Sequence, residues 1–186
     1  MSHPWSSDFT PPQVLDTDIV HLEALSPMHA ELDFAALMSS REHLNRTLHR
    51  GDWPRPDFTV EENRRDLQRH QDEFNRREAY AYTVLTPDKG KCIGCVYMMP
   101  WDNDGGQSGM SLRYWVIEEE LAADLDKHLL DSVLKWVNQA WPFESVLVVM
   151  RQENQRGIRV ASELGLTFSD QAVKADHVGL VSHRER

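Results

Sequence analysis

Leu112-Arg-Tyr-Trp-Val-Ile117 alternates Leu112, Tyr114 and Val116 with Arg113, Trp115 and Ile117, the period of a β-strand. Behind it Leu121, Leu125, Leu129, Val133, Val137 and Ala140 recur at helical spacing up to Trp141-Pro142, which predicts one long amphipathic helix. The unbroken apolar run Ser145-Val-Leu-Val-Val-Met150 follows, and a run of that length without alternation belongs to a strand buried on both faces. This strand, helix and central strand are the part of the chain from which the rest of the fold is read.

Toward the C-terminus, a short helix through Ile158, Ala161 and Leu164 stops at Gly165, and Leu166–Phe168 and His177–Val181 form two closing strands. Toward the N-terminus, Asp102–Gly109 reads as a loop, and the β-rich runs 79–86 and 91–100 flank the turn Pro-Asp-Lys-Gly as a hairpin. Arg41–Arg77 is the most highly charged stretch, with its signs nearly balanced. Thr59 and Glu62 have capping-box spacing there, predicting a solvated helix over about 60–77 anchored by Leu67 and Phe74. Ser26-Pro27 opens an earlier helix with Leu32, Ala35 and Ala36 on one face, after a half-buried strand over 17–25. Residues 1–16, with Pro4, Pro11 and Pro12 among Ser, Thr and Asp, read as a flexible N-terminal arm. Residues 17–186 then form a single domain.

The 186 residues, 40% hydrophobic and 27% charged, are enough for one core. A net charge of -10 excludes the basic field that phosphate-backbone binding requires, so nucleic acid is not expected as a partner. No apolar run reaches membrane length, and the N-terminus has neither the basic nor the apolar region of a secretory signal, so a cytoplasmic protein away from membranes is expected. Cys92 and Cys95 are the only cysteines. Their spacing falls in a strand, where an odd offset sends two side chains to opposite faces, so core packing is expected rather than a redox pair. No His pair at metal-ligand spacing is backed by Cys or carboxylates, and no metal is expected.

The element order, together with Leu112–Ile117, Ser145–Met150, Asn154 and Glu163-Leu-Gly-Leu166, resembles the GNAT superfamily of acyl-CoA-dependent N-acyltransferases across about residues 17–182. The resemblance implies an α+β fold: a mixed, mostly antiparallel sheet of about six to seven strands with helices on both faces. It implies acetyl-CoA as co-substrate, lying where the fourth and fifth strands splay, with Val116, Ile117 and Asn154 receiving the pantetheine arm. The family's Q/R-x-x-G-x-G/A loop, which offers backbone N–H groups at a helix N-terminus to the pyrophosphate, falls on Leu121–Asp126. Both glycine positions hold aspartate, Asp124 and Asp126. A carboxylate about 4 Å from a phosphate charge costs roughly 4 kcal/mol at an effective dielectric near 20, whereas a helix terminus returns about 0.3–2 kcal/mol. The sequence leaves open whether these side chains face the loop's interior. The family's thiolate-protonating Tyr falls on Ala161, which has no hydroxyl.

Within that frame Tyr114 and Glu118 are the catalytic candidates, and Trp53, Tyr82 and Trp101 are candidates for the acceptor pocket. The plain alternative for each is packing, and for Asn154 it is capping of the following helix. Nine acids against three bases between Asp102 and Ser145 either stabilise the first turn of the long helix or collect a cationic amine. The expected function is direct transfer of an acetyl group from acyl-CoA to a small-molecule or peptide amine. The alternative is a non-catalytic GNAT-fold ligand-binding or partner-docking module that has lost CoA binding. A homodimer is open on either reading.

Overall fold

The computed structural model describes residues 9–48, 52–102, 108–170 and 173–183. The elements that decide the fold are β5 (Ser108–Val116), α4 (Leu125–Ala140) and β6 (Ser145–Arg151). Leu129, Leu130, Val133 and Val137 bury the apolar stripe of α4, and β6 is buried along all but its last residue, as its apolar run predicts. A strand followed by a crossover helix returns parallel, and among the described residues β5–β6 is the single parallel pair in the sheet.

Around this unit stand β1 (Val14–Asp16), β2 (His21–Ala24), α1 (Ala30–Ser39, entered by a 3₁₀ turn over Pro27–His29), α2 (Arg41–Thr47), α3 (Val60–Asn75), β3 (Tyr80–Leu85), β4 (Cys92–Asp102), α5 (Gln155–Glu163), β7 (Thr167–Phe168) and β8 (His177–His183). They make an eight-stranded sheet in the order β1-β2-β3-β4-β5-β6-β8-β7. Cys95 and Tyr97 of β4 face α1 and α3, where Cys95 meets Asp33 and Tyr97 packs on His70. The opposite face carries Tyr82, which packs on Trp136 of α4. The sheet is thus covered by helices on both faces.

Three sequence expectations change. The last residues of the expected arm, Val14–Asp16, are an edge strand paired with β2, and Phe9 packs on Trp141, so 9–16 is held against the domain; residues 1–8 of the arm lie outside the described residues. The expected strand over 17–25 is shorter, because the Thr17 hydroxyl accepts from the backbone of Ile19 and Val20 and turns the chain. Cys92 and Cys95 do not point to opposite faces. The register shifts between Val84 and Leu85, leaving Ile93 as an extra residue, and the bulge brings the Cys92 thiol onto Thr83 on the side where Cys95 meets Asp33. Both thiols are buried and free, and burial raises their pKa, that of Cys92 to about 12. Core packing therefore stands, while the facing does not.

Beside β1, buried His21 sits between Asp16 and Glu23, Glu23 also meets His29 Nε2 at 2.7 Å, and Lys89 closes the group from the hairpin turn. Burial opposes the charge on His21, but Asp16 and Glu23 outweigh it and raise its pKa above 6.5. Burial would raise Glu23, yet His29 and His21 bring it down to about 2. His21 therefore contributes stability that is full below about 6.5 and lost as pH rises through its raised value. Glu23 contributes stability that is full above 4.5 and lost as pH falls toward 2. The melting temperature of the protein is expected to fall as pH rises above 6.5 more steeply than that of His21→Asn; parallel curves would show that the cluster does not act in this way.

Candidate active site

The parallel pairing of β5 with β6 runs from Gly109↔Ser145 to Leu112↔Val148 and stops, while β5 stays paired with β4 as far as Gly94↔Val116. Beyond Leu112 the two strands diverge. The backbone N–H of Ile117 donates to Ile93 of β4 at 3.0 Å. By alternation, the backbone groups of Tyr114 and Val116 point the other way, into the opening. A cleft follows the opening, lined by Tyr114, Val116, Asn154 and Arg156 from the sheet side and α5, and by His43, Thr47 and Leu48 from α2 and its end. Arg151 holds α2 there, its Nη1 donating to the carbonyls of Asn45 (3.3 Å) and Arg46 (3.2 Å) at the helix C-terminus.

At one end of the cleft the chain passes through a 3₁₀ turn over Glu118–Ala123 into α4. Asp124 stands at that junction with φ 54° and ψ 31°, the left-handed conformation that glycine adopts at no steric cost and aspartate tolerates better than most residues. The loop thus keeps a glycine backbone without the glycine. Arg156 on α5 answers the question of the two carboxylates. Its Nε and Nη2 donate to both oxygens of Asp126 at 2.7 and 2.8 Å, and Nη2 also donates to Asp124 Oδ1 at 2.8 Å. Asp126 is buried in this fork, and Asp124 is turned outward with 66% of its side chain exposed. Hydrogen bonding to Asp126 and Asp124 holds the charge on Arg156 more firmly than usual. Asn154 caps α5, its Oδ1 accepting from the backbone N–H of Gly157 at 3.0 Å, and its amide group also lines the cleft. A Cβ on Gly157 would stand 2.7 Å from the Asn154 amide nitrogen, so this cap requires glycine there.

At the other end, Leu48 and Arg113 stand between the cleft and a cavity of about 620 Å³ between α3 and the strands. Trp53, Tyr97, Met99, Arg113, His70 and Arg69 are among its walls, with carboxylates from Asp66, Glu73 and Glu78. Arg69 is held by Asp66 (2.6 Å) and Glu73 (2.8 Å). The His70 ring packs 5.2 Å from Tyr97, with Nδ1 at 3.2 Å from Glu73 and Nε2 at 3.1 Å from Arg69 Nη2. Since a guanidinium only donates, Nε2 is the acceptor and Nδ1 carries the proton. Burial, then the charge of Arg69, lowers the His70 pKa, which leaves the ring neutral at pH 7.

Of the residues singled out from sequence, Tyr114, Val116 and Asn154 meet in the cleft and Trp53 lines the cavity. The others stand elsewhere. Ile117 is buried, with its N–H spent on β4. Glu118 lies at the strand's end, half exposed and paired with Arg46 at 3.5 Å, outside the cleft lining. Tyr82 is fully buried on the α4 face among Phe74, Trp136 and Trp141, with its hydroxyl donating to Pro12 at 2.6 Å, so it belongs to the core rather than a pocket. Trp101 packs over Gly109 beyond the cavity lining. Tyr114 is half-buried, and its desolvation raises its pKa so that the hydroxyl keeps its proton. The structure adds α2, Arg113, Arg156 and the His70 group. Asp66, Arg69, His70 and Glu73 have i,i+3 and i,i+4 spacing on α3, a signal present in the sequence. Arg156 and Asp126 lie 30 residues apart with no local signal. Among the described residues no group of three or more His, Cys, Asp or Glu is placed to hold a metal, and no helix is long and apolar enough to cross a membrane.

A family model described as an acetyltransferase (GNAT) domain matches residues 20–167. No curated protein matches the chain by sequence. Among solved structures, a ribosomal-protein-S5-alanine acetyltransferase from Vibrio fischeri superposes with a TM-score of 0.76 at 15% identity, covering 92% of this chain and 97% of that one. A ribosomal L7/L12 alpha-N-protein acetyltransferase in complex with coenzyme A gives 0.73 at 16% identity, covering 91% and 97%. A microcin C7 self-immunity acetyltransferase in complex with acetyl-CoA and AMP gives 0.73 at 10% identity, covering 90% and 93%. At these identities the likeness establishes the fold.

The Arg156 fork generates a stability prediction. Arg156→Ala leaves the Asp126 carboxylate buried and unpaired, at an expected cost of about 3 kcal/mol, the low end for a buried pair because Arg156 is itself partly exposed. Adding Asp126→Asn should restore most of the loss in urea unfolding; no recovery would mean that Arg156 stabilises the fold by packing instead.

Proposed function

The chain belongs to the GNAT acetyltransferase family, and from that premise we propose that it transfers an acetyl group from acetyl-CoA directly to the amine of a small-molecule or peptide acceptor. The observation that carries the proposal is the opening between β5 and β6 beyond Leu112 and Val148, with the 620 Å³ cavity next to it across Leu48 and Arg113. An extended thioester arm needs strand backbone groups to pair with, and an acceptor needs a pocket at the end of that arm.

The loop before α4 suits the donor's pyrophosphate better than its two aspartates suggest. With Arg156 between them the pair carries one net negative charge, and Asp124 is screened by solvent. The left-handed backbone at Asp124 keeps the loop form that opens the helix N-terminus to an anion. Acetyl-CoA supplies the activated acyl group. On this reading Val116 and the Asn154 amide hold the arm. Tyr114, protonated, donates a hydrogen bond to the departing sulfur, the position for which Ala161 has no hydroxyl. His70 takes the ammonium proton at Nε2, the incoming amine replacing the Arg69 N–H, and Asp66 and Glu73 stabilise the imidazolium. The amine then attacks the thioester carbonyl: the C–N bond forms, the C–S bond breaks, and the sulfur leaves as a thiolate held by the Tyr114 hydrogen bond and takes up the second proton that the amine nitrogen sheds, with no covalent enzyme intermediate.

The names of similar structures, two of them ribosomal-protein acetyltransferases, favour an amine acceptor. Calorimetric titration with acetyl-CoA should give saturable binding; absence of binding at millimolar donor would instead support the ligand-binding module. In a thiol-release assay, His70→Gln should lower kcat/KM by roughly 10²-fold or more, the usual worth of a placed base. It should also remove the acid limb of the pH–rate profile, which in the wild type lies below the ordinary histidine value. An unchanged acid limb in the variant would exclude His70 as the base.

A further inference from the structure

Arg113 is the one cation lining the cavity for which no carboxylate partner is present among the described residues. Arg69, the other, is saturated by Asp66 and Glu73. The Arg113 Nε is fully buried and makes no hydrogen bond. A buried guanidinium nitrogen without an acceptor costs folding free energy, and native proteins rarely leave one so. The surroundings sharpen the point, since Asp66, Glu73 and Glu78 line the same cavity. Acids within a few residues' reach are engaged elsewhere: Glu73 by Arg69 and His70, Glu78 by Arg76 at 2.9 Å. A half-buried arginine whose Nε is kept without an acceptor, in a cavity that three carboxylates also line, is arranged for an acceptor that comes from outside.

We infer that Arg113 binds a carboxylate of the acyl acceptor, and that the acceptor is a small amino acid whose amine lies at His70, between Asp66 and Glu73, while its carboxylate is held by Arg113. The inference rests on the acetyl-transfer reading for the role of the amine, and on the orphaned guanidinium for the carboxylate. The two charges of such a molecule meet two different walls of the cavity, the acidic α3 wall and the β5 wall. A fork of parallel N–H donors matches a planar carboxylate bidentately. A phosphate dianion fits less well: three carboxylates stand against two guanidiniums in the lining, and one of those guanidiniums is already committed. Arg113 also lines a small hollow together with Tyr114 and Asn154 of the cleft, so an acceptor held by it lies next to the place of the thioester. Arg113 is thus a specificity residue, which selects the acceptor without taking part in bond making.

The test is calorimetric titration of the protein with glycine, β-alanine, 4-aminobutyrate and 6-aminohexanoate, each against its carboxamide, in the wild type and in Arg113→Gln. At least one acid should bind about tenfold or more tighter than its amide, the worth of a hydrogen bond to a charged group. Arg113→Gln should close that gap, and Arg113→Lys should restore part of it. Acids and amides binding alike, no acid binding at all, or a gap that survives Arg113→Gln would each overturn the inference. Titration of Arg113→Gln with acetyl-CoA separates the two readings. The loss is expected for the acid and not for the donor; a variant that loses acetyl-CoA instead assigns Arg113 to the donor and overturns the inference. If acetyl-CoA does not bind the wild type while an acid does, the transferase reading falls and the carboxylate site stands. A second readout needs no ligand. Arg113→Met removes the buried unpaired Nε, so its melting temperature should rise above the wild type's, whereas a structural arginine would give a fall.

Discussion

The structure depends on where β5 and β6 stop pairing. The crossover through α4 brings them together in parallel, and four residue pairs, Gly109↔Ser145 to Leu112↔Val148, hold them. Past that point β5 remains bound to β4 and β6 to β8, so each strand keeps a neighbour on one side and loses it on the other. Backbone groups left unpaired inside a protein need partners. Here they line a cleft, and every feature of the candidate site is placed relative to it: Asn154 and the α4 N-terminus at one end, Leu48 and Arg113 at the other.

The loop before α4 shows how a backbone geometry can outlast the residue type that usually supplies it. Asp124 takes the left-handed conformation at a glycine position, and Asp126 is buried where a small residue would suffice. Both are sustained by one side chain from another helix, Arg156. A buried carboxylate costs several kcal/mol unless it is paired and fully hydrogen-bonded, so the arginine and the acids have meaning only together. Arg113 stands in contrast. It too is a guanidinium at the cleft, but its buried nitrogen has no acceptor, and the difference between a satisfied and an orphaned arginine separates a structural role from one that awaits a ligand.

Much of the fold was legible because its signals are periodic and local. The alternation at Leu112–Ile117, the stripe from Leu121 to Ala140 and the apolar run at Ser145–Met150 each report burial through spacing, and the hairpin and the Thr59–Glu62 capping box report it through turn chemistry. The edge strand β1 and the short α2 were not legible. Val14–Asp16 is stabilised by pairing with β2, and α2 by the C-terminal clamp from Arg151, and neither contact leaves a mark in its own segment. The bulge at Ile93 reversed the expected facing of the cysteines for the same reason: a single extra residue shifts every later side chain by one face.

For the site, the sequence by itself determined the family resemblance, the strand carrying Tyr114 and Val116, and the helix-capping Asn154, since these depend on residue type and local spacing. Only the tertiary structure decided that Tyr82 is core, that Glu118 lies outside the cleft, that Asp126 is neutralised by Arg156, and that His70 and Arg113 share a cavity. Charge and solvation are set by what lies within a few ångströms in space, and where contacts join residues 30 (Arg156 and Asp126) to 70 (Tyr82 and Pro12) positions apart, that neighbourhood is made by topology.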